Sequence, residues 1–282
     1  MDKDPAREPT VVPPELRPIG AEYPAKGAIL TTVGRLLYTT NLVEGGTGDS
    51  SCTATLVRAD NKATVIAAAH CVHGGAEPFF YTGYSDNLLF IPGYRDGDAP
   101  HGNYTVNNIV ISRAYAEDPS FEVTLTQDRA YLVLNPDARG RPAAETLGEG
   151  QRIPFGAEPA GPRHRLGYPR YVSSGNETLP QRGQPAFRGE RLAACYGDAG
   201  PWPRGPEMTG LECVMGGGSS GGPAMQNFDE EAGVGDVVAV NNINDYWNQE
   251  ERRDGVFGAS VTDPASEALY LAAQAIKPPP LA

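Results

Sequence analysis

The chain of 282 residues carries 23 Lys and Arg against 35 Asp and Glu, a formal net charge of −12. That balance argues against a nucleic-acid or anionic-membrane partner, and no apolar run of about 18 residues is present to enter a bilayer. With 40% hydrophobic residues the chain can bury one large or two small cores, and 34 Gly with 26 Pro favour short strands and turns over a helical protein.

Residues 1–28 hold Pro5, Pro9, Pro13, Pro14, Pro18 and Pro24 among charges, and are expected as an extended proline-rich arm on the surface. Met1-Asp2-Lys3-Asp4-Pro5 lacks the apolar core of a secretory signal, so the chain is either cytosolic or begins after a removed one. Residues 29–140 read as a first β unit. Strands at 29–30 and 33–38 precede a glycine-rich turn at 44–49. A hairpin of 52–57 and 63–69, turned by Asp60-Asn61-Lys62, leads straight into His70-Cys71. Strands at 88–92, 104–110 and 130–134 continue the pattern, and a polar segment at 135–150 separates the halves. Residues 141–262 repeat the texture, with strands at 151–155, 164–168, 191–195, 211–215, 237–240 and 255–261. Two successive sets of short strands predict an all-β fold of two antiparallel barrels or sandwiches. Residues 263–282 form a closing helix and tail. Asp263 is a good N-cap, Pro264 suits the first helical position, and Pro278-Pro279-Pro280 stops the helix. Leu269, Leu271, Ala272 and Ile276 are expected on its apolar side.

The four cysteines, Cys52, Cys71, Cys195 and Cys213, fall as two pairs of similar spacing, and neither has the CxxC spacing of a zinc or redox site. Two disulfides in an oxidising compartment is the economical reading, which favours a secreted protein whose signal is already gone. Four cysteines allow three connectivities.

Gly216-Gly217-Gly218-Ser219-Ser220-Gly221-Gly222-Pro223 cannot be a helix interior or an ordinary strand. It suits a loop whose backbone N–H groups converge beside a serine hydroxyl, the construction of an oxyanion hole next to a nucleophile. A serine needs a base, and a base needs an orienting group. Of the four histidines, His70 ends an apolar strand after Ala67-Ala68-Ala69 and is locked to Cys71, whereas His73, His101 and His164 read as surface or core residues. Asp128 heads the apolar strand 130–134 and is the candidate orienting acid. Gly218-x-Ser220-x-Gly222 also fits an α/β-hydrolase elbow, but there the histidine follows the serine, and all four histidines precede Ser220. Asp49, before the histidine as a subtilisin order would need, lacks the matching contexts.

Ala68-Ala69-His70-Cys71, Asp128-Arg129-Ala130 and Gly218-Ser219-Ser220-Gly221-Gly222-Pro223, in that order, resemble the trypsin-like serine peptidases. Within them the chain is most similar to the bacterial secreted branch that includes the glutamyl endopeptidases, and the resemblance runs over residues 29–276. It implies two six-stranded antiparallel β-barrels with a C-terminal helix. It further implies Ser220 as nucleophile, His70 as general base then acid, Asp128 as orienting carboxylate, and Gly218 and Ser220 N–H groups as the oxyanion hole. The pairings Cys52–Cys71 and Cys195–Cys213 follow from the same resemblance. So do a polypeptide substrate, no metal or organic cofactor, a monomer, no membrane insertion and an extracellular setting.

The chain also departs from the family. Where trypsins carry an Asp before the nucleophile it has Ser219, so trypsin-type zymogen activation is not expected, and the Cys195–Cys213 bridge is the expected brace of the loop. Six residues before the nucleophile stands Val214 rather than an acid, and no histidine follows Ser220 to hold a substrate carboxylate. The expected pocket of Val214, Met215, Gly217, Asn241, Asn242, Ile243 and Asn244 is therefore neutral, taking polar or medium apolar side chains. A catalytically silent binding module and a processing protease dedicated to one partner are the alternative readings.

Overall fold

The computed structural model describes residues 19–77, 81–158, 160–175, 177–248 and 250–279, so most of the expected proline-rich arm lies outside the described residues. The rest of that arm is built into the fold instead of lying free on the surface. Strand β1 (Ala21–Glu22) pairs antiparallel with a strand of the second barrel, Ala21 opposite Ala194 and Glu22 opposite Ala193. Ala21 and Tyr23 are buried on the inner side, and Val214 N donates to Ile19 O at 2.8 Å. The alternation is only two residues long, and the surrounding prolines mask it in the sequence.

Residues 29–30 are not a strand but open one helical turn, α1 (Ile29–Thr32), in which Thr32 Oγ1 donates back to Ala28 O at 2.7 Å. Six strands follow: β2 (Val33–Leu42), β3 (Thr47–Leu56), β4 (Thr64–Ala67), β5 (Tyr81–Pro92), β6 (Tyr104–Ile111) and β7 (Ala130–Leu134). They close in the order β2-β3-β4-β7-β6-β5, with β2 pairing both β3 and β5. Every residue of β4 and β7 is buried, which is why both read as unbroken apolar runs rather than alternating ones. Two short helices, α2 (Arg113–Glu117) and α3 (Phe121–Thr126), fill the connection from β6 to β7 and deliver the chain to Asp128.

Past a fourth short helix, α4 (Ala143–Leu147), the chain crosses between barrels. Residues 151–155 make only isolated bridges, Gln151 with Val57 and Arg152 with Asp236, because Pro154 has no N–H with which to continue a ladder. The second barrel comprises β8 (Gly161–Gly167), β9 (Ala193–Trp202), β10 (Gly205–Glu212), β11 (Pro223–Asp229), β12 (Val234–Asn248) and β13 (Arg253–Ser260). Their sheet order is β1-β9-β10-β13-β12-β11-β8, and β8 also pairs β9, so six strands form a ring with β1 added at its edge. The fold is thus the expected pair of antiparallel barrels. Helix α5 (Pro264–Ala275) closes it, capped by Asp263 accepting from Ser266 N at 2.8 Å. Its packed side differs from expectation: Ala273 is buried, Leu269, Tyr270 and Ile276 pack beside it, and Leu271 points out at 51% exposure. Residues 269, 273 and 276 keep i, i+4, i+7 spacing, which 271 does not.

Arg129 ties these parts together. Its guanidinium is 2% exposed and donates to Thr126 O (2.8 Å), Ser260 O (2.9 Å) and Asp263 Oδ1 (3.0 Å). It thereby joins α3, β13 and the cap of α5. Arg129→Ala is expected to cost about 1–3 kcal/mol of stability, the penalty for leaving the Thr126 and Ser260 carbonyls without their donor, while Asp263, 35% exposed, can turn to water. Urea unfolding should show this as a lower midpoint at unchanged slope.

Candidate active site

His70 lies in a single turn of 3-10 helix, Ala69–Cys71, that ends β4. Three contacts fix the turn. Cys71 is bonded to Cys52 on β3, the Tyr81 hydroxyl donates to the His70 carbonyl, and Ser85 Oγ donates to Cys71 O at 3.3 Å. Asp128, whose side chain is 3% exposed, accepts from His70 N at Oδ1 (2.7 Å) and contacts His70 Nδ1 through Oδ2 (2.6 Å). A carboxylate only accepts, so Nδ1 carries the proton and the neutral ring's lone pair sits on Nε2. The imidazole side chain, 36% exposed, leaves that edge to the cleft. Burial alone pulls the imidazole down, but the Asp128 charge and hydrogen bond outweigh it, so its pKa is raised above the ordinary 6.5. The Cys52 and Cys71 sulfurs lie near this ring. They are bonded to each other and offer no thiolate to a metal. His73 accepts from Gly75 N at 3.0 Å, His164 contacts Glu230, and Asp49 takes the Thr39 hydroxyl in the β2–β3 hairpin.

The loop 216–222 reaches the same end of β4. Ser220 O accepts from Thr53 N at 2.8 Å. Gly221 has φ +78°, and a Cβ there would collide with Thr53 O and come within 2.8 Å of Ala68 N. Only glycine beside a run of alanines lets the two barrels approach so closely, which explains Ala67-Ala68-Ala69. Thr53 grips the loop from the first barrel: its hydroxyl donates to Gly218 O and accepts from Tyr168 N, both at 2.9 Å. Gly218 has φ +99°, and a Cβ there would stand 2.6 Å from Tyr168 O. Gly217 O accepts from Arg170 N at 2.7 Å, and Ser219 O from Gly222 N at 3.0 Å. The loop's carbonyls are therefore turned into the protein, while among the described residues the N–H groups of Gly218 and Ser220 find no acceptor. That leaves two donors free for an external oxygen.

Asn241 corrects the sequence reading. Expected in the substrate pocket, it is 1% exposed and spends its side chain on the loop, donating to Leu166 O (2.9 Å) and Ser219 O (3.1 Å). Its backbone exchanges two further bonds with Gly221 and Gly222. Its Oδ1 accepts from Arg165 at 2.9 Å. Arg165 is fully buried; burial, with the neighbouring Arg163 charge, pulls its pKa down to about 9. Ser219 Oγ donates to Gly216 O at 2.8 Å. The expected brace, Cys195–Cys213, is formed, but it sits in a buried cluster with Val214 and Met215, ahead of the loop. Asn241, Thr53 and Arg170 hold the loop itself. Asn242 also turns elsewhere, donating to Leu125 O across the cleft at 2.9 Å, and Ile243 packs with Leu125, Trp202, Met208 and Phe257. Residues 170–173 were not singled out from the sequence. They run along 214–217, with Ser173 N on Val214 O and Gly216 N on Tyr171 O, and lay the Tyr171 ring against Gly216 and Gly217.

No protein-family model and no curated protein matches the chain. Solved structures do. The thermostable serine protease AL20 from an extremophilic microorganism is 26% identical, with a TM-score of 0.69 over 89% of this chain and 100% of that one. The protease Anisep from Arthrobacter nicotinovorans is 25% identical, with a TM-score of 0.69 over 89% and 99%. A Glu endopeptidase at 16% identity shares the fold, with a TM-score of 0.61 over 91% and 97%.

Proposed function

We propose that this chain, a serine endopeptidase of the trypsin-like fold, hydrolyses peptide bonds through an acyl-enzyme on Ser220. The observation that carries the reading is the doubly bonded Asp128–His70 pair at the end of β4, where the loop bearing Ser220 also docks. His70 Nε2 takes the proton from Ser220 Oγ as that oxygen attacks the substrate carbonyl. The oxyanion is held by the N–H groups of Gly218 and Ser220, each such donor being worth about 3–4 kcal/mol in the transition state. His70 then gives its proton to the leaving amine, and a water repeats the cycle on the ester. Asp128 holds the ring in the right tautomer throughout. We read the protein as a secreted bacterial enzyme; that all four cysteines form disulfides supports an oxidising compartment. No helix of the described residues is long and apolar enough to cross a membrane.

An organophosphate serine reagent tests this. One adduct is expected, on Ser220, and its rate of formation should follow the neutral form of His70. Because Asp128 raises the imidazole pKa, protonation sets in early as pH falls, and the half-maximal rate lies above pH 6.5. Folded protein that forms no adduct at neutral pH would point to the silent binding module.

A further inference from the structure

Resting on the peptidase reading, the geometry points to a substrate class: we infer that the cleft accepts only a small, uncharged side chain, such as that of Gly, Ala or Ser, immediately before the scissile bond. With a substrate carbonyl against the Gly218 and Ser220 N–H groups, that side chain would lie along the segment 214–217 that leads to them, which β12 meets at Asn244. Asn244 closes the gap between the two. Its Nδ2 donates to Met215 O at 2.5 Å, so the two walls are already joined across it. Below this bond Val214 is 4% exposed and Met215 0%, both packed into the cluster around Cys195–Cys213, so neither side chain can swing aside without disturbing that core. At the outer lip, the Tyr171 ring rests against Gly216 and Gly217 and narrows the mouth.

A long side chain would have to break the Asn244 bond and strand the Met215 carbonyl without a partner, which makes entry unfavourable beyond simple steric conflict. Charge offers no compensation. Val214, Met215, Gly216, Gly217 and Asn244 carry no ionisable group, so neither a carboxylate nor a basic side chain finds a counter-ion on these walls. The sequence alone suggests a neutral pocket of moderate size. Asn244 reduces it to a shallow one.

The test uses a set of peptides identical except at the residue before the cut, digested by the wild-type protein and by Asn244→Gly. Wild-type kcat/KM should be highest for Ala, Gly or Ser. The ratio of kcat/KM for Leu over Ala should rise by at least about tenfold in Asn244→Gly, the scale on which an apolar pocket discriminates by size. Wild-type preference for Leu, Phe, Glu, Lys or Arg would overturn the inference while leaving the peptidase reading intact, as would an unchanged ratio in a folded variant. If Asn244→Gly does not fold, the wild-type profile decides alone. No cleavage of any peptide, together with no organophosphate adduct, would overturn both.

Discussion

Ser220→Ala should lower kcat by about 10⁶, the scale reached when a serine nucleophile is removed and only transition-state binding remains. Stability should hardly move, within about 0.5 kcal/mol, because the residue is half-buried and its anchoring bond is made by the backbone carbonyl. The adjacent hydroxyl cannot take over. Ser219 is 3% exposed and its Oγ is committed to Gly216 O. Steady-state rates beside a urea melt separate this outcome from misfolding, and residual activity above about 1% of wild type would show that another group attacks the substrate.

Asp128→Asn should lower kcat by about 10⁴, and the geometry says why. Oδ1 must accept from His70 N, so the amide oxygen of an asparagine would take that place and turn its NH₂ toward Nδ1. Nδ1 would then accept and Nε2 would carry the proton, which leaves no lone pair facing Ser220. The same change removes both influences that raise the His70 pKa and leaves burial, which lowers it. The acid limb of kcat/KM should therefore move to lower pH even as the plateau falls. A plateau reduced without any shift of the limb would count against Asp128 as the group that faces the ring.

Local signals carried part of this architecture and long-range ones carried the rest. His70 stands out as a candidate because small residues and a cysteine surround it, and Ser220 because its glycines exclude regular structure. The barrels were legible from the strand texture, although β1, β11 and the beginning of β5 were not, and 151–155 stood in for β11 in the count. What escaped reading are residues whose task is defined by partners far along the chain. Thr53 is an ordinary strand residue until Gly218 and Tyr168 fold against it from more than a hundred positions away. Asn241 reads equally well as pocket or turn, and only its bonds to Leu166 and Ser219 decide. Arg165 left no trace, since its strand reads Gly161-Pro162-Arg163-His164-Arg165-Leu166-Gly167, and only its bonds to Asn241 and Thr209 single it out.

The Arg165–Asn241 scaffold also bears on when the enzyme becomes competent. Among the described residues the framework of the loop is inherited directly from β8 and β12 as they pair with β11. On the proposed mechanism, the loop would take its working shape as the second barrel closes around it.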